Sequence, residues 1–172
     1  MILSLSGEEP VAVHATGGNY LHQRIADVTT THLEFPSGLK AHIFVSGLHP
    51  CKEKKLVVVG DKKMAVFDDT KPWEDKLLLY PHLIDWKDNA PVPVKCEPER
   101  EDILQDEPLK LECRHFIECI ATGKRPMTDG AEGLRVLKIL NAAQRSLDLP
   151  LAATIKAPTQ SQIDSPLTAT LK

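Results

Sequence analysis

The chain has 172 residues, 42% of them hydrophobic and 26% charged, with a formal net charge of −3. Such proportions suit a folded domain, and this length can bury roughly 70% of the unfolded surface in a single core. The balance leaves no basic footprint for nucleic acid or an anionic membrane, so neither is expected as a partner. No apolar run approaches the roughly 20 residues of a membrane span. The opening MILSLSGEEP lacks the basic start and the long apolar run of a signal peptide. The expected location is the cytoplasm. The cysteines at 51, 96, 113 and 119 form no Cys-x-x-Cys pair, so reduced thiols are expected.

In chain order, Met1 to Ser6 reads as the end of a helix with no capping residue before it, which suggests a piece of something longer. Val11 to Ala15 reads as a strand, interrupted by turn chemistry at Gly17-Gly18-Asn19. Tyr20 to Arg24 is a polar connection into the clearest feature of the chain. This is the pair of β-rich runs on either side of Pro36-Ser37-Gly38, which predicts a hairpin. Setting Phe35 opposite Leu39 puts Leu33, Ala41, Thr31, Ile43, Thr29 and Val45 on one core-like face. Glu34 and Lys40, His32 and His42, and Thr30 and Phe44 then face each other on the opposite, mixed side.

Beyond His49-Pro50, Leu56 to Val59 is apolar on both faces and suits a strand in the middle of a sheet. A turn at Gly60 to Lys63 leads to a strand over Met64 to Phe67, and a loop runs from Asp68 to Asp75. Short strands are expected over Lys76 to Tyr80 and Leu83 to Lys87, around Pro81-His82. Asp88 to Lys95, with Pro91 and Pro93, is at best an edge strand. A charged linker, Glu97 to Glu107, precedes two helices. The first starts at Pro108, carries Leu109, Cys113, Phe116, Ile117 and Ile120 as its apolar stripe, and ends at Gly123. Thr128 is placed to cap the second, with Asp129 near its positive end. Leu134, Leu137, Leu140, Ala143 and Leu147 form the stripe of that helix, and Gly133 would permit close approach to a sheet. The tail from 150 to 172 is Ser/Thr/Pro-rich and expected to be disordered. About six to eight strands followed by two helices give an α+β class. The expected architecture is a largely antiparallel, open-faced sheet with two C-terminal helices on one face.

The search for chemistry excludes more than it assigns. None of the nine glycines forms Gly-x-Gly-x-x-Gly or a phosphate loop, and no serine stands in a Gly-x-Ser-x-Gly context. No catalytic or cofactor-binding residue is therefore assigned. His32 and His42 face each other, but two ligands do not make a metal site, and no metal is expected. His22, Gln23, His49 and Lys52 lie just outside strand ends, where a sheet presents side chains to a cleft. They are the candidate substrate contacts. His32, His42 and Phe44, on the mixed hairpin face, are the candidate oligomer interface.

Several stretches carry a resemblance. GGNYLHQRIADVTTTHLEFPSGLKAHIFVSGLHP, KKLVVVGDKKMAVFDD, PWEDKLLLYPH and ECRHFIECIATGKRPMTDGAEGLRVLKIL resemble the C-terminal domain of the Gfo/Idh/MocA oxidoreductases. The likeness is nearest to the members acting on nucleotide-linked sugars, such as UDP-N-acetylglucosaminuronate 3-dehydrogenases. It implies that residues 1–149 form a substrate and oligomerisation domain whose sheet shapes a sugar site and an assembly surface. It also implies NAD(P) for a full-length member, with no cofactor bound by this chain. The family's Rossmann domain, its Glu-Lys-Pro lysine and its Asp-x-x-x-His histidine have no counterpart in the sequence; the nearest look-alike is Thr70-Lys71-Pro72. Where the family commonly has Trp, this chain has Gly47. A truncated product, inactive alone, is the expectation; a stand-alone, non-catalytic binding or assembly module using the same sheet face is the alternative.

Overall fold

The computed structural model describes residues 1–21, 23–81, 83–94 and 96–148. The expectations for His22, for His82, for Lys95 and for the tail from 150 lie outside the described residues. The α+β class holds: among the described residues nine strands, all paired antiparallel where a register is defined, precede two long helices. The chain divides into two compact units, one from Met1–Val45 with Leu134 onward, the other from Ser46–Gly133.

The first unit opens with α1 (Ile2–Ser6), which Gly7 ends in a left-handed turn at φ 67. Its sheet has the order β1 (Ala12–Gly18), β2 (Val28–Glu34), β3 (Lys40–Ser46). The β1 strand runs through both glycines that were expected to break it: Gly17 pairs with Thr29 and Gly18 with Val28. A ladder asks only for backbone groups, and a Cβ at Gly17 would stand 2.7 Å from the Val28 carbonyl oxygen. The absent side chain is what admits the strand. The hairpin closes as expected, with the Phe35 N–H donating to the Leu39 carbonyl at 3.0 Å and Gly38 at φ 88. Lys40 reaches Glu34 at 2.9 Å, and the His32 and His42 rings are 6.5 Å apart.

Leu3, Leu33 and Phe35 form the buried cluster, with Ile2, Val13, Ala41, Ile43 and Ile139 packed on it. The hairpin's inner face is therefore covered by α1 and by α3 (Gly130–Leu147). Leu39 and Val45, expected on that face, are exposed. The α3 stripe is also corrected. Of that stripe Leu134, Leu137 and Leu140 are 54–58% exposed, whereas Ala143 and Leu147 are half-buried and share the more buried side with Arg135, Ile139, Ala142 and Ser146. The reason is polar. Ser146 Oγ accepts the N–H of Ala15 on β1 at 2.9 Å, and Arg135 binds Glu9 at 3.3 Å and the Glu8 carbonyl at 3.4 Å. The cap of α3 is Asp129 rather than Thr128: its Oδ1 accepts the Glu132 N–H at 2.9 Å. Gly133 meets nothing within 4 Å, so it marks no close approach.

The second unit holds a sheet of order β4 (Lys55–Val59), β5 (Lys63–Asp68), β6 (Leu77–Pro81), β9 (Glu99–Arg100). The β4 strand is an edge rather than the middle of the sheet, and Val57, Val58 and Val59 are exposed. Its doubly apolar pattern thus reports uncovered surface. The pair β9 is a short strand inside the expected charged linker. Between them, β7 (Leu83–Lys87) and β8 (Ala90–Val94) make a separate ribbon. Its two-residue turn puts Asp88 at φ 52 and Asn89 at φ 61, the left-handed pair that suits a twisted hairpin. With only two strands, each proline sits on an edge, where its missing N–H is tolerated. The helix α2 (Pro108–Thr122) has its expected proline start and its left-handed Gly123 end. Its stripe is not core, however: Leu109, Phe116, Ile117 and Ile120 are 62–70% exposed, and Cys113 is exposed as well. Cys119 is the buried thiol of this helix, one turn from His115.

Candidate functional site

The β1 strand hands over at Gly18 to a loop that is tied at both ends. The Asp27 N–H donates to the Gly18 carbonyl at 2.9 Å, and the Asp27 carboxylate accepts the N–H groups of Tyr20 and Leu21. Across the loop, the Asn19 side chain donates to the Gln23 carbonyl at 2.8 Å. Between this loop and the last turn of α3 lies an open cleft of about 340 Å³. Gly17 and Gly18 give it a bare backbone wall, and Asn19, Gln23 and Arg24 line it from the loop. From the end of α3 come Gln144 and Leu147, with Asp148 just beyond the helix and one turn from Gln144.

Of the expected substrate contacts, Gln23 lines this cleft. His49 and Lys52 belong to the second unit. There His49 Nδ1 lies 3.1 Å from the Cys51 carbonyl, and Nε2 is 3.9 Å from the Glu53 carboxylate. Its nearest charged partner is thus an acid. Lys52 is exposed. His32, His42 and Phe44 are all exposed on the outer hairpin face, Phe44 at 59%. The β1–β2 register adds a residue to that row, because His14 stands opposite His32.

Asn19, Arg24, Gln144 and Asp148 were not singled out from the sequence. The available signal was the polar pair at 144 and 148, one turn apart at the end of an amphipathic helix. Nothing in sequence order brings that pair to a loop more than a hundred residues earlier.

The described residues do not fit a dinucleotide. Pyrophosphate needs a glycine-rich turn that feeds a helix whose first N–H groups are free. The glycines of β1 lead to another strand. At α2 the first position is Pro108, which has no N–H, and Asp106 accepts the N–H of Glu107 at 2.8 Å. At α3 the Asp129 carboxylate already occupies the anion's place, held below its ordinary value of 3.8 first by the Arg125 hydrogen bond and then by the Glu132 N–H. No step through a nicotinamide follows from these residues. Among the described residues no cluster of three or more His, Cys, Asp or Glu could hold a metal ion. No helix among them is long and apolar enough to cross a membrane.

Comparison with known proteins bears on the same regions. Residues 1–66 match the family model of the GFO/IDH/MocA C-terminal domain. No curated protein matches. Among solved structures the chain is similar to the UDP-N-acetylglucosamine 3-dehydrogenase GnnA from Acidithiobacillus ferrooxidans, at TM-score 0.70 and 22% identity over 85% of this chain. It is also similar to an aldose-aldose oxidoreductase from Caulobacter crescentus complexed with glycerol, at TM-score 0.60 and 25% identity over 86%. A third is the WlbA dehydrogenase from Bordetella pertussis in complex with NADH and UDP-GlcNAcA, at TM-score 0.58 and 22% identity over 87%. The chain spans only 42%, 42% and 41% of those three proteins. The match at residues 1–66 and the fold shared over most of the chain bear out the resemblance to the C-terminal domain of the GFO/IDH/MocA oxidoreductases.

Proposed function

We propose that residues 1–149 serve as the substrate-side and oligomer-forming domain of an NAD(P)-dependent dehydrogenase of nucleotide-linked sugars. The observation that carries this reading is the shared fold with one enzyme named for a UDP-sugar and another solved in complex with NADH and UDP-GlcNAcA, coupled with the family match at residues 1–66. Cofactor binding and hydride transfer are left to polypeptide other than these 172 residues, whose sequence holds no dinucleotide fingerprint. His22, Gln23, His49 and Lys52 remain the proposed substrate contacts. The exposed outer face of β2 and β3, with His32, His42 and Phe44, is the proposed surface for a second copy.

The test has two arms. Purified chain is mixed with NAD or NADP and UDP-N-acetylglucosamine, and the absorbance of reduced nicotinamide is followed. No turnover is expected; turnover at about 1 per second or faster would place the chemistry within the chain and overturn the division of labour. Sedimentation at micromolar concentration is expected to show a dimer or larger species that Phe44→Asp dissociates. A wild-type monomer would remove the assembly role.

A further inference from the structure

We propose that His32 and His42 form half of a four-imidazole site for a divalent transition-metal ion, completed by the same pair of a second copy. The proposal rests on the assembly reading above, from which it takes the outer hairpin face, and adds an ion that fastens it.

The hairpin register makes the pair. With Phe35 bonded to Leu39, His32 and His42 stand side by side on neighbouring strands, their ring centroids 6.5 Å apart and their planes tilted by 41°. Both residues are exposed. Among the described residues neither imidazole makes a hydrogen bond or an ion pair, so the ring nitrogens are open to a ligand. Their neighbours on this face are engaged elsewhere. Glu34 is held by Lys40 at 2.9 Å, and His14, opposite His32 on β1, has its Nδ1 3.4 Å from the Ser146 hydroxyl oxygen. Among the described residues no third His, Cys, Asp or Glu of the same chain joins the pair to hold an ion.

The donor set selects the ion. Neutral imidazole suits zinc, copper and nickel, whereas magnesium and calcium take oxygen ligands. Two rings bound to one tetrahedral zinc ion through nitrogens at about 2.0–2.1 Å have centroids roughly 5 Å apart. Rotation of the two exposed side chains closes the difference. Zinc then lacks two ligands, and a twofold axis supplies them. In an isologous contact each copy offers the same patch, so an axis passing over the pair sets two imidazoles against two. Sheets that pack face to face lie about 10 Å apart, which leaves room for a layer of imidazoles from each side with an ion between them. The neutral Glu34–Lys40 pair flanks the site on one side and the exposed Phe44 ring on the other.

Sedimentation of the full chain tests this in excess EDTA, in zinc at one ion per two chains, and in magnesium at the same concentration. The dissociation constant of the dimer is expected to fall at least about tenfold from EDTA to zinc and to keep its EDTA value in magnesium. His32→Gln and His42→Gln, both at exposed positions, should each abolish the zinc effect. Equal constants in EDTA and zinc would overturn the metal site; if Phe44→Asp dissociates that dimer, the assembly reading stands without it. A zinc effect that survives in both variants would overturn the site too, because the ion would then sit elsewhere, as on the exposed thiols of Cys51 and Cys113. Zinc bound at one ion per chain with no tightening of the dimer would do the same. A zinc-tightened dimer that needs both histidines and is indifferent to Phe44→Asp would keep the metal site and remove Phe44 from the assembly surface.

Discussion

Ser146 shows how much a single hydroxyl can decide. It is buried, with its Oγ accepting the Ala15 N–H at 2.9 Å and lying 3.4 Å from the Ala15 carbonyl oxygen. Because β1 is an edge of its sheet, those backbone groups have no strand on that side among the described residues. The hydroxyl stands in for one. Ser146→Ala leaves a buried N–H without its acceptor, and we expect a loss of about 1–3 kcal/mol in urea unfolding. A loss below about 0.3 kcal/mol would mean that water replaces the hydroxyl. In the sequence, Ser146 reads as one more polar position beside a leucine stripe. Its partner is 131 residues away, and hydrophobic periodicity carries no record of backbone groups that need a donor or acceptor.

At the scale of elements, the turns and caps were legible. The hairpin around Pro36-Ser37-Gly38, the proline start and glycine end of α2, and the glycine end of α1 all stand where local chemistry puts them. Those signals are local because a left-handed φ or a missing N–H is a property of one residue. The facing of the helices was not legible to the same degree. Periodicity separates an apolar side from a polar one, but α3 turns Arg135 and Ser146 inward to reach Glu9 and β1. Glycines divide the same way. Gly17→Ala would drive a Cβ to 2.7 Å from the Val28 carbonyl oxygen and 3.1 Å from Leu147. It should cost about 1–3 kcal/mol as an overpacked site. Gly133→Ala, with nothing within 4 Å and a helical backbone, should add about 0.5–1 kcal/mol. Thermal or urea unfolding of the two variants checks the pair; equal effects of the same sign would refute the assignment of both glycines.

For the molecule as a whole, acid is the informative perturbation. Among the described residues four carboxyls are held below their ordinary value of 3.8: Asp68 first by the Thr70 hydroxyl, Asp69 by Lys76, Asp106 by the Glu107 N–H, and Asp129 by Arg125. With the folded values depressed, the unfolded chain binds more protons through this range. The stability these groups give is present above the unfolded value and lost as pH falls through the folded ones. The urea midpoint should therefore drop as pH is lowered from about 5 to about 2. Asp68→Asn combined with Asp129→Asn should flatten that drop, and a midpoint indifferent to pH in the wild type would contradict it. By itself the sequence determined the α+β class, the hairpin and its register, the two long helices and the family resemblance. Each of these is encoded in neighbouring residues or in a fixed period along the chain. Only the tertiary structure decided which faces are covered, that β4 is an edge, and that Gly17, Gly18, Asn19, Gln23 and Arg24 share a cleft with Gln144, Leu147 and Asp148. These depend on where distant segments meet, and on the backbone polar groups that must be satisfied when they do.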